Sequence, residues 1–164
     1  MELFKISKEL GEEILRIGRV LGPRWAACSL RSALAVWRAY PALYSYFSRE
    51  PKYSGMAACL CNTNFLYDLA LMIDILQEIS LLADALQARC ITLSRAEKIL
   101  KRSIKVFEML KERKGTFEKE IDDRVASDAF KDIHFTENQR FVCLPREKLL
   151  EVIIKNMKKK VNGL

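Results

Sequence analysis

His134 is the only histidine in this 164-residue chain, and hydrolytic or acyl-transfer chemistry would need such a base beside a serine or cysteine nucleophile. It stands in a loop-like stretch, no Gly-x-Ser-x-Gly elbow accompanies it, and none of the five cysteines has a nucleophile's context, so it reads as a surface side chain. Glu120, Asp122 and Asp123 cluster as the acids of two-metal phosphoryl-transfer sites do. Such sites hold their carboxylates at fixed places on a sheet, whereas these fall in a helical charge run. Cys59-x-Cys61 is too tight for a zinc knuckle, and no second Cys/His pair completes a tetrahedral set. Six scattered glycines form no phosphate cradle. No catalytic residue, metal site or cofactor site is therefore expected.

What remains is the chemistry of cations and rings. Arg24-Trp25 follows a Gly22-Pro23 break and opens an apolar helix. With Trp37, Tyr40, Tyr44, Tyr46 and Phe47 interleaved with Arg31 and Arg38, stacking on unpaired bases is the chemistry this composition allows. Helical spacing assigns most of these rings to the core; Trp25, at a helix entrance beside a fixed cation, is the one left open. A second candidate is the stretch 94–114, with eight bases and three acids, in which Lys98, Lys101, Arg102 and Lys105 could meet phosphates. The neighbouring stretch 64–89 holds four acids and one base, so a solvated basic face complementing an acidic neighbour is the plainer reading of the same charges.

The bulk numbers fit both. Half the residues are hydrophobic and 30% charged, a globular balance that can bury a core, and the net charge of +7 favours an acidic partner. Cys28, Cys59, Cys61, Cys90 and Cys143 are odd in number, and four of them sit among apolar residues. That predicts free, buried thiols in a reducing compartment. The charged N-terminus is no signal peptide, and Asp68, Asp74, Glu78 and Asp84 interrupt the most apolar stretch too often for a bilayer span. A soluble nuclear or cytoplasmic protein is expected, with DNA, protein partners or a second copy of itself as candidate partners and no membrane.

The elements that must position these residues are helices. Ser7 is placed to cap a first helix over 7–20, ended by Gly22-Pro23. A second runs over 25–40 to Pro41, which kinks it or starts a further turn, and the apolar surface continues to a break at 48–51. Phe65, Leu69, Met72, Leu76, Ile79, Ala83 and Leu86 alternate by four and three, the mark of one helix of more than twenty residues; Leu66, Ile73 and Ile75 widen its face towards further neighbours. Ser94 with Glu97 reads as a capping box for a helix to Lys114, closed by a left-handed Gly115, with Ala96, Leu100, Ser103, Phe107 and Leu110 inward. The short joint makes these two an antiparallel hairpin. Helices over 116–130 and 145–160 follow, with an irregular segment around His134 between them. The fold class is all-α, a multi-helix bundle.

Two of these stretches carry a family likeness. PRWAACSLRSALAVWRAYPALYSYF resembles the segment of hAT-superfamily transposases and their domesticated relatives in which arginine-tryptophan and small residues lead into a long helix ending in tyrosine-proline-x-leucine. LYDLALMIDILQEISLLADALQARCITLSRA is similar to the next segment of those proteins, and the likeness continues through Phe130-Lys-Asp-Ile133. In that family a ribonuclease-H-like core holds three metal-binding acids, with a large helical domain inserted between the second and the third. The resemblance implies one helical domain over 1–164, in which 1–22 end a core-like segment and 23–164 form the insertion-like bundle. Two of the acids would lie upstream of Met1 and the last beyond Leu164. It also implies a base-stacking role for Trp25, with Arg24 beside it. The family's Cys-x-x-His motif has no counterpart here. The resulting expectation is a non-catalytic, transposase-derived helical scaffold with nucleic-acid contact through Arg24, Trp25, Arg31, Lys98, Lys101, Arg102 and Lys105. The alternative is a fragment of an active transposase or of a transposase-derived SUMO ligase.

Overall fold

A computed structural model describes residues 2–11, 25–125, 129–136 and 143–161. Eight helices of the described residues run in the order α1 (Glu2–Glu9), α2 (Trp25–Arg38), α3 (Tyr40–Arg49), α4 (Ser54–Leu60), α5 (Thr63–Leu86), α6 (Leu93–Glu112), α7 (Thr116–Val125) and α8 (Arg146–Val161). A 3₁₀ turn at Pro51–Tyr53 precedes α4, and a two-stranded antiparallel hairpin, β1 (Ala129–Phe130) with β2 (Ile133–His134), follows α7. The chain is an all-α bundle.

α5 is its axle. Asn62 caps it, the side-chain oxygen accepting from the amides of Asn64 and Phe65 at 2.9 and 3.3 Å. One side of α5, with Leu66, Ala70 and Ile73, joins Trp37 and Tyr40, Ile121 of α7 and Phe130 of the hairpin in a first core. Another side, Leu71 and Ile75, joins Ile104 and Phe107 of α6 and Leu150 and Ile154 of α8 in a second. The deepest residues are thus the ones that widen the periodic stripe, while most of the stripe itself is half-buried. The long antiparallel pair of α5 and α6 is present, and α5 meets several neighbours, as that width requires.

Several boundaries differ from the sequence reading. α1 starts at Glu2 and ends at Glu9, so Ser7 lies inside it; Gly11, with φ of 69°, adopts the left-handed backbone that stops it. The rest of the expected 7–20 helix, the Gly22-Pro23 break and Arg24 lie outside the described residues. Pro41 does start a new turn: α2 breaks at Ala39, and the proline occupies the first turn of α3, where its missing amide costs nothing. Thr92, not Ser94, caps α6, its hydroxyl accepting from the Arg95 amide at 3.3 Å. Glu97 closes no box and instead pairs with Lys101 at 2.6 Å. α7 stops at Val125, and the segment through His134 is a hairpin whose turn residues Lys131 and Asp132 both hold positive φ, 49° and 65°. That turn is fastened from both sides: Phe130 is fully buried against Trp37 and Tyr40, and the Lys131 ammonium donates to the Trp37 and Arg38 carbonyls at the end of α2.

Candidate functional site

The acids of α5 set the electrostatics, because three of the four are occupied inside the fold. Asp68 accepts from the Leu144 amide ahead of α8 at 3.0 Å. Glu78, 5% exposed, accepts from the Ser103 hydroxyl at 2.6 Å and from the Arg102 guanidinium at 3.2 Å, tying α5 to α6. Asp74 reaches across to the start of α7, where its carboxylate accepts from the amides of Thr116, Phe117 and Glu118 at 3.0–3.3 Å.

This last contact explains Gly115. It is the residue before α7; its carbonyl accepts from Lys119 and its amide donates to Glu118 Oε2 at 3.0 Å, half of a capping box. The other half, a side-chain oxygen at the cap itself, comes from Asp74. A Cβ on Gly115 would stand 2.2 Å from Asp74 Oδ2, so glycine is there for space, and its φ is not left-handed as expected. Glu118 in turn holds Arg146, the first residue of α8, through Nε at 2.9 Å. The same guanidinium donates to the carbonyls of Leu110, Lys111 and Arg113, closing the open end of α6. Burial raises the carboxyl of Asp74 above the ordinary range, and the three amides pull it back.

With these acids engaged, the bases of α6 face outward. Lys98, Lys101, Arg102 and Lys105 are all exposed on that helix. Lys101 is paired with Glu97, whose carboxyl it holds low, and Arg102 is anchored by Glu78 with its side chain still 59% exposed. Lys98 and Lys105 have no partner among the described residues. Farther along, Lys111 binds Glu151, and Lys114 binds Asp122 at 2.6 Å. Asp122 also accepts from Tyr67; burial first, then that carboxylate, pushes the phenol up to about 12. The basic face therefore complements acidic neighbours only in part.

The remaining site residues are elsewhere. Trp25 heads α2 and is 50% exposed, and Arg31 is exposed two turns on. Six residues apart, they stand about 120° from one another round the axis and point to different faces. α2 packs on α5 with no extensive contact to α6 among the described residues, so the expected set divides into two surfaces. Trp37 and Tyr40 are core, the tyrosine hydroxyl donating to the Leu60 carbonyl at 2.8 Å, and Tyr46, Phe47 and Tyr53 meet one another in edge-on and tilted ring contacts. All five cysteines are free, but only Cys61 is buried; Cys90 and Cys143 are exposed, against the expectation of buried thiols. His134 is exposed on β2, and Glu120 pairs with Arg124. Among the described residues no group of three metal-ligating side chains comes together, and no helix is long and apolar enough to cross a membrane.

Missed by sequence reasoning were Glu78 and Ser103, which orient Arg102, and the Asp74–Glu118–Arg146 group that sets α6 against α7 and α8. The available signal was acids in an otherwise apolar helix, Asp74 and Glu78 standing one turn apart. No protein-family model, curated protein or solved structure matches the chain.

Proposed function

We propose that this chain is a non-catalytic helical scaffold, descended from an hAT transposase, that holds nucleic acid by its phosphate backbone through the outer face of α6, in a nuclear setting. The observation that carries the reading is that Lys98 and Lys105 are exposed and have no partner among the described residues, while Arg102 beside them is held by Glu78. They share a face with Arg102, spaced by four and three residues, and Lys101 lies beside it. Arg102 adds a fork already oriented by Glu78, which lowers the entropy lost when its free donors meet a phosphate oxygen.

The test is charge reversal. Lys98→Glu with Lys105→Glu should abolish retention of DNA at low salt, whereas Arg31→Glu, on the separate α2 surface, should leave most of it. Loss in the α2 variant with retention in the α6 variant would overturn the assignment. Trp25, with its ring half open, supports the stacking role that the family likeness implies. Trp25→Ala would then weaken single-strand binding and leave duplex binding unchanged, and the opposite pattern would remove that role.

A further inference from the structure

The connector between α5 and α6 is short and open. Residues 87–90 are exposed, Ile91 is half-buried, and Thr92 at its end is exposed on extended backbone, with φ of −87° and ψ of 155°. Arg89 stands three residues before that hydroxyl, exposed and with no partner among the described residues. Leu93 follows it, 60% exposed and part of neither core. Thr92 caps α6, but folding assigns no work to the Arg89 guanidinium or the Leu93 side chain.

A cation about 10 Å upstream of an extended hydroxyl, with an apolar side chain just after it, is a charge pattern by which kinases choose substrates. We propose that Thr92 is the phosphate acceptor for a basophilic serine/threonine kinase, with Arg89 filling an acidic recess of the enzyme and Leu93 an apolar one. Transfer breaks the bond between Pγ and the β,γ-bridging oxygen of ATP and forms one between Pγ and Thr92 Oγ1. ADP leaves, and the hydroxyl proton passes to a carboxylate of the kinase. Seating the segment costs little, because the first amides of α6 have no helix carbonyl to bind. Extending them gives up the Ala96 bond to the Thr92 carbonyl at 2.9 Å and the Arg95 bond to the Thr92 hydroxyl at 3.3 Å.

Arginine also stands three residues before Thr116 and Ser127. Phe117, after Thr116, meets Trp37 edge-on at 5.2 Å, and Asp74 holds the Thr116 amide, so that segment is not free to extend. Ser127 lies outside the described residues and is followed by an aspartate, which an apolar recess rejects. At Thr92 the product carries about −1.5 to −2 charge at the positive end of α6, with exposed Arg95 one turn on to pair with it. The phosphate then lies about 9 Å along the axis from Lys98 and opposes DNA, a consequence that rests on the nucleic-acid reading of α6.

The full chain is incubated with ATP, Mg²⁺ and the catalytic subunit of the cyclic-AMP-dependent kinase, and the modified residues are assigned by mass spectrometry, with circular dichroism as the fold check. Thr92 should take phosphate first. Arg89→Ala should slow its modification by about thirtyfold or more, while Arg113→Ala leaves that rate unchanged. No phosphate on Thr92, modification confined to Thr116 or Ser127, or an Arg89→Ala rate equal to wild type overturns the proposal. Anisotropy titrations with a random-sequence duplex then compare the phosphorylated and unphosphorylated chains at about 10 mM and about 150 mM salt, where the Debye lengths are about 30 Å and 8 Å. Phosphorylation should weaken binding at the lower salt and change it little at the higher. Equal affinity at the lower salt overturns the opposition to DNA alone. No duplex binding by the unphosphorylated chain overturns the α6 reading and leaves the acceptor site standing.

Discussion

Gly115→Ala should be among the most damaging single-methyl changes in this chain, and the reason can be isolated. The new Cβ would lie 2.2 Å from Asp74 Oδ2 and 2.3 Å from its Cγ, so the carboxylate must leave the start of α7. Three amides then lose their acceptor. A lost helix cap costs about 1 kcal/mol and buried unsatisfied donors add about 1–3 kcal/mol, so the total is about 3 kcal/mol. Asp74→Ala removes the same carboxylate and should cost the same. Because both substitutions delete one contact, the double variant should cost far less than the sum, with a coupling of about 2 kcal/mol. The coupling stays below the full value because the Asp74 Cβ itself stands 2.9 Å from the added methyl. Urea denaturation of the four proteins measures it. Additivity within about 0.5 kcal/mol would refute the shared-cap argument.

Asp74→Asn tests the ionisation of the same cap. Burial raises the folded carboxyl above its ordinary 3.8, so the proton is held more tightly folded than unfolded. The contribution is then full below the ordinary value and shrinks as pH rises through the raised one; the asparagine variant should lose this decline, read as a flatter dependence of the urea midpoint on pH. Arg146→Ala strands Glu118, whose side chain is 4% exposed, and should cost about 3–5 kcal/mol; Arg146→Lys should recover little, since one ammonium cannot span Glu118 and three carbonyls, and full recovery in a melting curve would contradict this. Asp132 sits at φ of 65°, so Asp132→Gly should stabilise by about 0.5–1 kcal/mol; destabilisation would show that the turn is unstrained.

The helical hairpin was legible because alternating spacings of four and three and a short connector are local signals, and local rules suffice for two adjacent helices. Caps were less so: Thr92 and Ser94 both carry hydroxyls at the right place, and only backbone geometry selects the first. The β-hairpin was hidden because its turn is Lys-Asp, without the Asn-Gly pair that advertises positive φ, and is held by Phe130 and Lys131 reaching α2 and α3. Gly115 looked like a left-handed stop because a glycine after a basic last turn usually is one. Its actual constraint, Asp74, is 41 positions away, and no spacing rule joins them. For the candidate site, the run Lys98, Lys101, Arg102, Lys105 was readable as one helix face. Its division from Trp25 and Arg31 was not, since that depends on which sides of α5 the two helices occupy.

The most direct test of the account is the salt dependence of the intact chain on a random-sequence duplex. Four phosphate contacts from Lys98, Lys101, Arg102 and Lys105 predict a slope of log K against log salt of about −3.6. A slope near zero, or no binding at low salt, would contradict it.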